Sequence, residues 1–182
     1  MAKAPPSNDD AAPITRRGEL RHRAQALLLL ETAIADAALG CHNRAYLVHR
    51  ARDEVARRSR YGQRLSVLLL GADAAGGWPE QALQAVVAAV RLALRPNDVL
   101  ARWQGGELVV LLPCTGLAGA TRLARRLGAL LAAEATRTGL AVGGRLGVAT
   151  ALGRQEGLEL LIQRARSGLN EARAGSSAVG IG

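Results

Sequence analysis

The chain has 182 residues, 49% of them hydrophobic, which suffices for one domain with a substantial core and excludes a disordered class. Aromatic residues make up 2% and phenylalanine is absent, so the core must be built from Leu, Val and Ala. The formal charge is +9 and Lys3 is the sole lysine, so the excess is arginine; it either attracts an anionic partner or solvates exposed helices.

Residues 1–17, with Pro5, Pro6 and Pro13, read as a flexible tail without the apolar run of a signal peptide. A helix is predicted over 18–38, with Leu20, Leu27 and Ile34 on one face; Glu31 and Asp36 interrupt it too soon for a membrane span. A second helix follows over 43–60, then an apolar strand over 65–70. After a Gly/Ala loop, Pro79 suits the first turn of a helix that repeats Leu83, Val86, Val87, Val90 and Leu94 and ends at Pro96. Two short strands, 98–103 and 107–112, meet across Gln104-Gly105-Gly106, a hairpin signal. A helix over 116–135, a strand over 140–150, a helix over 158–174 and a weak strand near Ala178 complete the order. This order implies an α+β class, with helices packed on a sheet that contains an antiparallel hairpin.

Several segments carry chemistry by their order and spacing. Asp36-Ala-Ala-Leu-Gly-Cys-His-Asn43-Arg44-Ala-Tyr46-Leu is similar to the pattern D-x-L-T-G-L-x-N-R-R-x-L. Ala101-Arg102-Trp103-Gln104-Gly105-Gly106-Glu107-Leu108 and the run to Pro113 match a-R-[WY]-G-G-D-E-F-x-v-l-L-P without a gap. Leu123 to Leu127 fits the helix that follows, and 165–175 echoes A-D-x-A-L-Y-x-A-K-x-x-G. Over about residues 36–180 the chain thus resembles a GGDEF (diguanylate cyclase) domain of bacterial cyclic di-GMP signalling. The resemblance implies the cyclase-like palm, a central five-stranded sheet flanked by helices. The domain is expected over 39–182, with 18–38 as a linker or dimerisation helix.

The same resemblance implies that the catalytic residues are missing. Joining two GTP molecules needs divalent metal held by carboxylates. The family draws these from the end of its first strand, L-x-D-x-D, and from the third and fourth signature positions. Here Gly71 replaces the first of those aspartates, and the signature reads Gln104-Gly105-Gly106-Glu107-Leu108, with glycine at its third position. The guanine-recognition stretch is shortened to 74–80, leaving only Glu80 to stand in for its final aspartate. No catalytic residue, no magnesium and no other cofactor are therefore expected, and the chain is not expected to be an enzyme. Reading Gly105-Gly106-Glu107 as G-G-E would need an insertion and a deletion and would still leave Gly71 without a carboxylate.

What remains is Arg95-Pro96-Asn97-Asp98, an R-x-x-D at the spacing of the family's inhibitory product site, and Arg126 at the position of that site's further arginine. Arginine can fork onto guanine O6 and N7 or onto phosphate, and aspartate can accept from the guanine N1–H and amino group. Alternatively, R-x-x-D at a helix end is local capping. The expected function is a cyclic di-GMP receptor acting through Arg95, Asp98 and Arg126. A ligand-independent scaffold pairing with a cyclase or another regulator is the alternative, and residual GTP binding without turnover a third. A homodimer or a heteromeric protein partner is expected, without nucleic acid: the basic faces at Arg57, Arg58, Arg60, Arg122 and Arg125 lack interleaved aromatics. His22, His42 and His49 lack a metal cluster, and Ser66 and Cys114 lack a catalytic partner. Cys41 and Cys114 form no disulfide framework, which fits a reduced, cytoplasmic setting.

Overall fold

A computed structural model describes residues 34–73 and 77–182. Its elements run β1 (Ala35–Asp36), β2 (Cys41–His42), α1 (Arg44–Tyr61), β3 (Leu65–Ala72), α2 (Glu80–Ala93), β4 (Val99–Arg102), β5 (Leu108–Pro113), α3 (Leu117–Thr138), β6 (Gly144–Thr150), α4 (Leu158–Ala174) and β7 (Val179–Ile181). The strands form one seven-stranded sheet in the order β1-β2-β4-β5-β3-β6-β7.

β3 lies inside the sheet, between β5 and β6, and has no polar face to offer water. Leu68, Leu70 and Ala72 point into a core shared with Leu83, Val86 and Val90 of α2 and Ala124, Leu127 and Leu131 of α3. Leu65, Val67 and Leu69 point the other way, against Leu47 and Ala51 of α1 and Leu161, Ala165 and Leu169 of α4. The sheet is therefore a middle layer with a helix pair on each face, and a strand buried on both sides reads as a continuous apolar run. Ser66, the polar residue in that run, is satisfied by the Thr115 carbonyl and the Thr150 hydroxyl, each 2.7 Å away.

Helix ends follow local chemistry. Asn43 accepts from the Tyr46 N–H at 2.9 Å and starts α1, and Gly62 ends it at φ 68. α3 stops the same way at Gly139, φ 68. α4 lies so close to the sheet that a Cβ on Gly147 would overlap the Ala165 carbonyl oxygen.

The sequence expectations need two corrections. The sheet has the five expected strands, but the two-residue β1 and β2 extend one edge, with β2 parallel to β4 through His42 and Ala101. Residues 35–38, expected to end the helix over 18–38, instead form β1 and the start of a turn. The Asp36 carboxylate accepts from the Ala38 and Leu39 N–H groups at 3.1 and 3.2 Å, and Gly40 takes φ 65. Such side-chain-to-backbone bonds favour a turn over helix continuation. The expected tail over 1–17, the rest of that helix through residue 33, and His22 lie outside the described residues. No described helix is long and apolar enough to cross a membrane.

Candidate functional site

The first cluster forms where α2 hands over to β4. α2 ends at Ala93, Leu94 is extended, and Pro96 follows in a turn closed by the Asp98 N–H donating to the Arg95 carbonyl at 3.0 Å. The Asp98 carboxylate closes it again, its Oδ2 accepting from the Arg95 N–H at 2.9 Å. The local capping considered from the sequence is thus present, but it uses one carboxylate oxygen and the backbone of Arg95, not its guanidinium.

Across from this turn runs α3. Arg126 donates through Nη2 to the Ala93 carbonyl, a favourable place for a cation at a helix C-terminus. Arg95, Asp98 and Arg126 together line one cavity of about 290 Å³, with Ala93, Thr115 and Arg122 on its wall. The structure thus brings together all three residues singled out from the sequence. Among the described residues, the guanidinium groups of Arg95 and Arg122 make no ion pair or hydrogen bond. Arg122 was read from the sequence only as basic surface. Its position one helical turn before Arg126 was the available signal.

The second cluster gathers at the other end of β4, around the hairpin. The turn is closed by the Trp103 N–H donating to the Glu107 carbonyl and the Glu107 N–H to the Gln104 carbonyl, both 2.9 Å, with Gly105 at φ 54. Arg102 steadies it through the Gly105 carbonyl at 2.9 Å and reaches Asp36 at 3.4 Å and Glu80 at 3.5 Å. Glu107 is held by a bidentate fork from Arg166 of α4, at 2.6 and 2.7 Å. That fork raises the Arg166 guanidinium above its ordinary value; partial burial opposes the shift.

At the end of β3, Asp73 pairs with Arg145 at 2.9 Å. Gly71 faces α4, and Arg173 there donates to the Ala72 carbonyl through Nε at 3.3 Å and Nη2 at 3.1 Å. Trp78 packs against the hairpin turn. Its indole is buried, Nε1 donates to the Gly143 carbonyl at 2.9 Å, and its backbone N lies 3.3 Å from where a Gly106 Cβ would stand. Sequence reasoning missed Trp78, Arg166 and Arg173 as occupants of this region. Arg166 stands where the A-D-x-A-L-Y pattern has its aspartate, which was the legible signal.

The remaining candidates are dispersed. His42 stacks on Tyr46 with ring centroids 4.0 Å apart, and burial lowers its pKa. His49 lies 3.8 Å from Asp53 on α1. Cys41 is buried, which raises its thiol pKa, whereas Cys114 is exposed. Among the described residues, no three His, Cys, Asp or Glu side chains are placed to share a metal ion.

Comparison with known proteins gives the family of the fold. The family model for "Diguanylate cyclase, GGDEF domain" matches residues 77–177. Diguanylate cyclase DgcP of Pseudomonas aeruginosa is 37% identical over 114 residues, covering 57% of this chain and 16% of that protein. Response regulator PleD of Caulobacter vibrioides is 29% identical over 158 residues, 80% of this chain and 35% of PleD. The chain therefore spans well under half the length of these curated relatives. The diguanylate cyclase SiaD of Pseudomonas aeruginosa, solved with its activator SiaC, superposes with a TM-score of 0.71 at 28% identity, over 88% of this chain and 66% of that one. The coiled coil and GGDEF domain of DgcB from Caulobacter crescentus, solved with c-di-GMP, gives a TM-score of 0.77 at 17% identity, over 91% of this chain and 94% of that one, a likeness of fold. With the family model covering more than half of its residues and the palm-like sheet in place, this chain belongs to the GGDEF domain family.

Proposed function

We propose that this domain is catalytically inactive and serves as a cyclic di-GMP receptor through Arg95, Asp98 and Arg126. The observation that carries the reading is that these three residues, 31 positions apart at the extremes, line one cavity. Its volume of about 290 Å³ is at the low end for ligand pockets, so one nucleotide half of the ligand seats there and the other faces outward. The two phosphates of a cyclic dinucleotide are drawn by three arginines, Arg95, Arg122 and Arg126. The carboxylate oxygen of Asp98 that does not close the turn accepts from the guanine edge and selects guanine over adenine.

Inactivity is supported at the other cluster. The residues at the family's metal positions do not fit a divalent ion: Gly71 offers no ligand, Gly106 none, and Glu107 and Asp73 are held by Arg166 and Arg145. Trp78 lies under the hairpin where the shortened loop removed the guanine-recognition residues. Incubation with GTP and magnesium is expected to yield no cyclic di-GMP; product formation by the purified chain would refute this half of the reading. Arg95→Ala should weaken cyclic di-GMP binding by about 10–100-fold, the value of a charge-assisted hydrogen bond. Equal affinity in wild type and variant would refute the assigned site.

One observation favours the scaffold alternative as a second reading. A mainly apolar groove between α2 and α3 exposes 90% of Leu92 and adjoins the cavity through Ala93 and Arg126. Charge reversal at Arg95 separates the two, because a scaffold that ignores the ligand keeps its partner binding unchanged.

A further inference from the structure

α2 carries two apolar stripes. Leu83, Val86, Val87 and Val90 face the core, while Ala85, Ala88, Ala89 and Leu92, at i, i+3, i+4 and i+7, form a second stripe on the side toward α3. With Leu130 and Ala133 of α3 this stripe floors a groove of about 770 Å³. Leu92 is 90% exposed at one end of the groove and Leu130 is 39% exposed near its middle. A helix that is apolar on two sides, with a leucine left in water, marks a surface that buries against something. Charge is ordered along the same groove. Arg126 borders it at one end and Glu134 toward the other, with Leu130 midway between them on α3. Among the described residues Arg126 pairs with no acid, and Glu134, which accepts from Arg137 Nε at 3.0 Å, keeps lone pairs for a second guanidinium.

We propose that this groove is the interface between two copies of the chain, paired about a two-fold axis through its middle. Ala88 and Ala89 lie midway between Ala85 and Leu92, so an antiparallel α2 pair centred there sets Leu92 of each copy over Ala85 of the other. The same axis passes Leu130 and sets Arg126 of each copy opposite Glu134 of the other. A second copy fits better than an unrelated helix because one surface carries both knob and hole, both cation and anion, evenly spaced about one centre. An isologous contact requires that arrangement, and a foreign helix does not. Alanines at the centre let the paired α2 axes approach to about 8 Å, the close end of helix packing. The interface adjoins the cavity of Arg95 and Asp98 through Ala93 and Arg126 but does not rest on dinucleotide binding.

Site-directed cross-linking tests this face rather than dimerisation in general, to which the helix expected over 18–38 would also contribute. With Cys114→Ser removing the exposed thiol, Ala88→Cys and Ala89→Cys each place a thiol near the axis. Mild oxidation without dinucleotide should give a disulfide-linked dimer from at least one of them. Ser167→Cys, exposed on α4 across the sheet, should cross-link about 10-fold more slowly or less, since nothing holds two such thiols together. In sedimentation of the whole chain, Leu92→Glu should raise the dimer dissociation constant by about 10-fold or more, because pairing would bury its charge. Leu92 is exposed in the single chain, so this variant should keep its unfolding midpoint. Arg126→Glu and Glu134→Arg should each weaken the dimer, and the two together should restore it. Equal cross-linking at positions 88, 89 and 167, a Leu92→Glu chain that dimerises as wild type does, or a folded charge swap that restores nothing would overturn the inference. A monomeric wild type would overturn it too and leave the groove to a different protein.

Discussion

At the scale of single residues, side chains at this domain's two clusters are held in different ways. Glu107 and Arg166 are half-buried and bonded to each other in a fork, so neither can leave without stranding the other's charge. Glu107→Gln should destabilise the domain by about 1–2 kcal/mol, between the values for exposed and buried pairs, as read from chemical denaturation. An unchanged midpoint would mean that the fork is energetically idle. Arg126 is exposed and, among the described residues, its guanidinium hydrogen-bonds the Ala93 carbonyl and forms no ion pair, so Arg126→Ala should cost less than about 1 kcal/mol of stability. It should nevertheless weaken dinucleotide binding by about 10-fold or more. A loss of stability matching the loss of affinity would assign Arg126 to folding instead.

At the scale of elements, the seating of α4 is the most constrained contact. Gly147 of β6 meets the Ala165 carbonyl, and Gly168 of α4 meets Gly180 of β7, both without room for a Cβ. Gly147→Ala should therefore separate α4 from the sheet and abolish cooperative unfolding; a normal thermal transition in this variant would show that the helix can shift cheaply. The loop between β6 and α4 is tied by Glu156, which accepts from the Leu152 N–H at 2.6 Å and from Arg164 at 3.0 Å. Burial pushes the Glu156 carboxyl up, but those donors pull it further down, so its folded pKa lies below the ordinary value. A depressed carboxylate contributes stability above its unfolded pKa and loses it as pH falls through the folded one. Wild type should thus lose more stability than Glu156→Gln between about pH 5 and pH 3 in pH-dependent denaturation.

At the scale of the whole molecule, layering and charge set what can be done where. Among the described residues the sheet is covered on both faces by helices, and the two clusters lie at the two ends of β4. Much of this was legible. The apolar run at β3, the Gly pair of the hairpin and Pro96 after α2 mark elements through local chemistry, and gapless spacing placed Arg95, Asp98 and Arg126. What escaped depended on distant partners. The turn at Asp36 competes with helix over only three residues, and the two-residue β1 and β2 have no period to read. Arg166 is legible only as a departure from the aspartate of the A-D-x-A-L-Y pattern, and its pairing with Glu107 emerges only once α4 is laid against the hairpin.

Calorimetric titration of cyclic di-GMP into the purified chain, with Arg95→Ala and GTP as controls, decides whether Arg95, Asp98 and Arg126 form a receptor site. Micromolar or tighter binding that is lost in Arg95→Ala and absent for GTP is the predicted result. No heat at high dinucleotide concentration, or binding indifferent to Arg95, would contradict it.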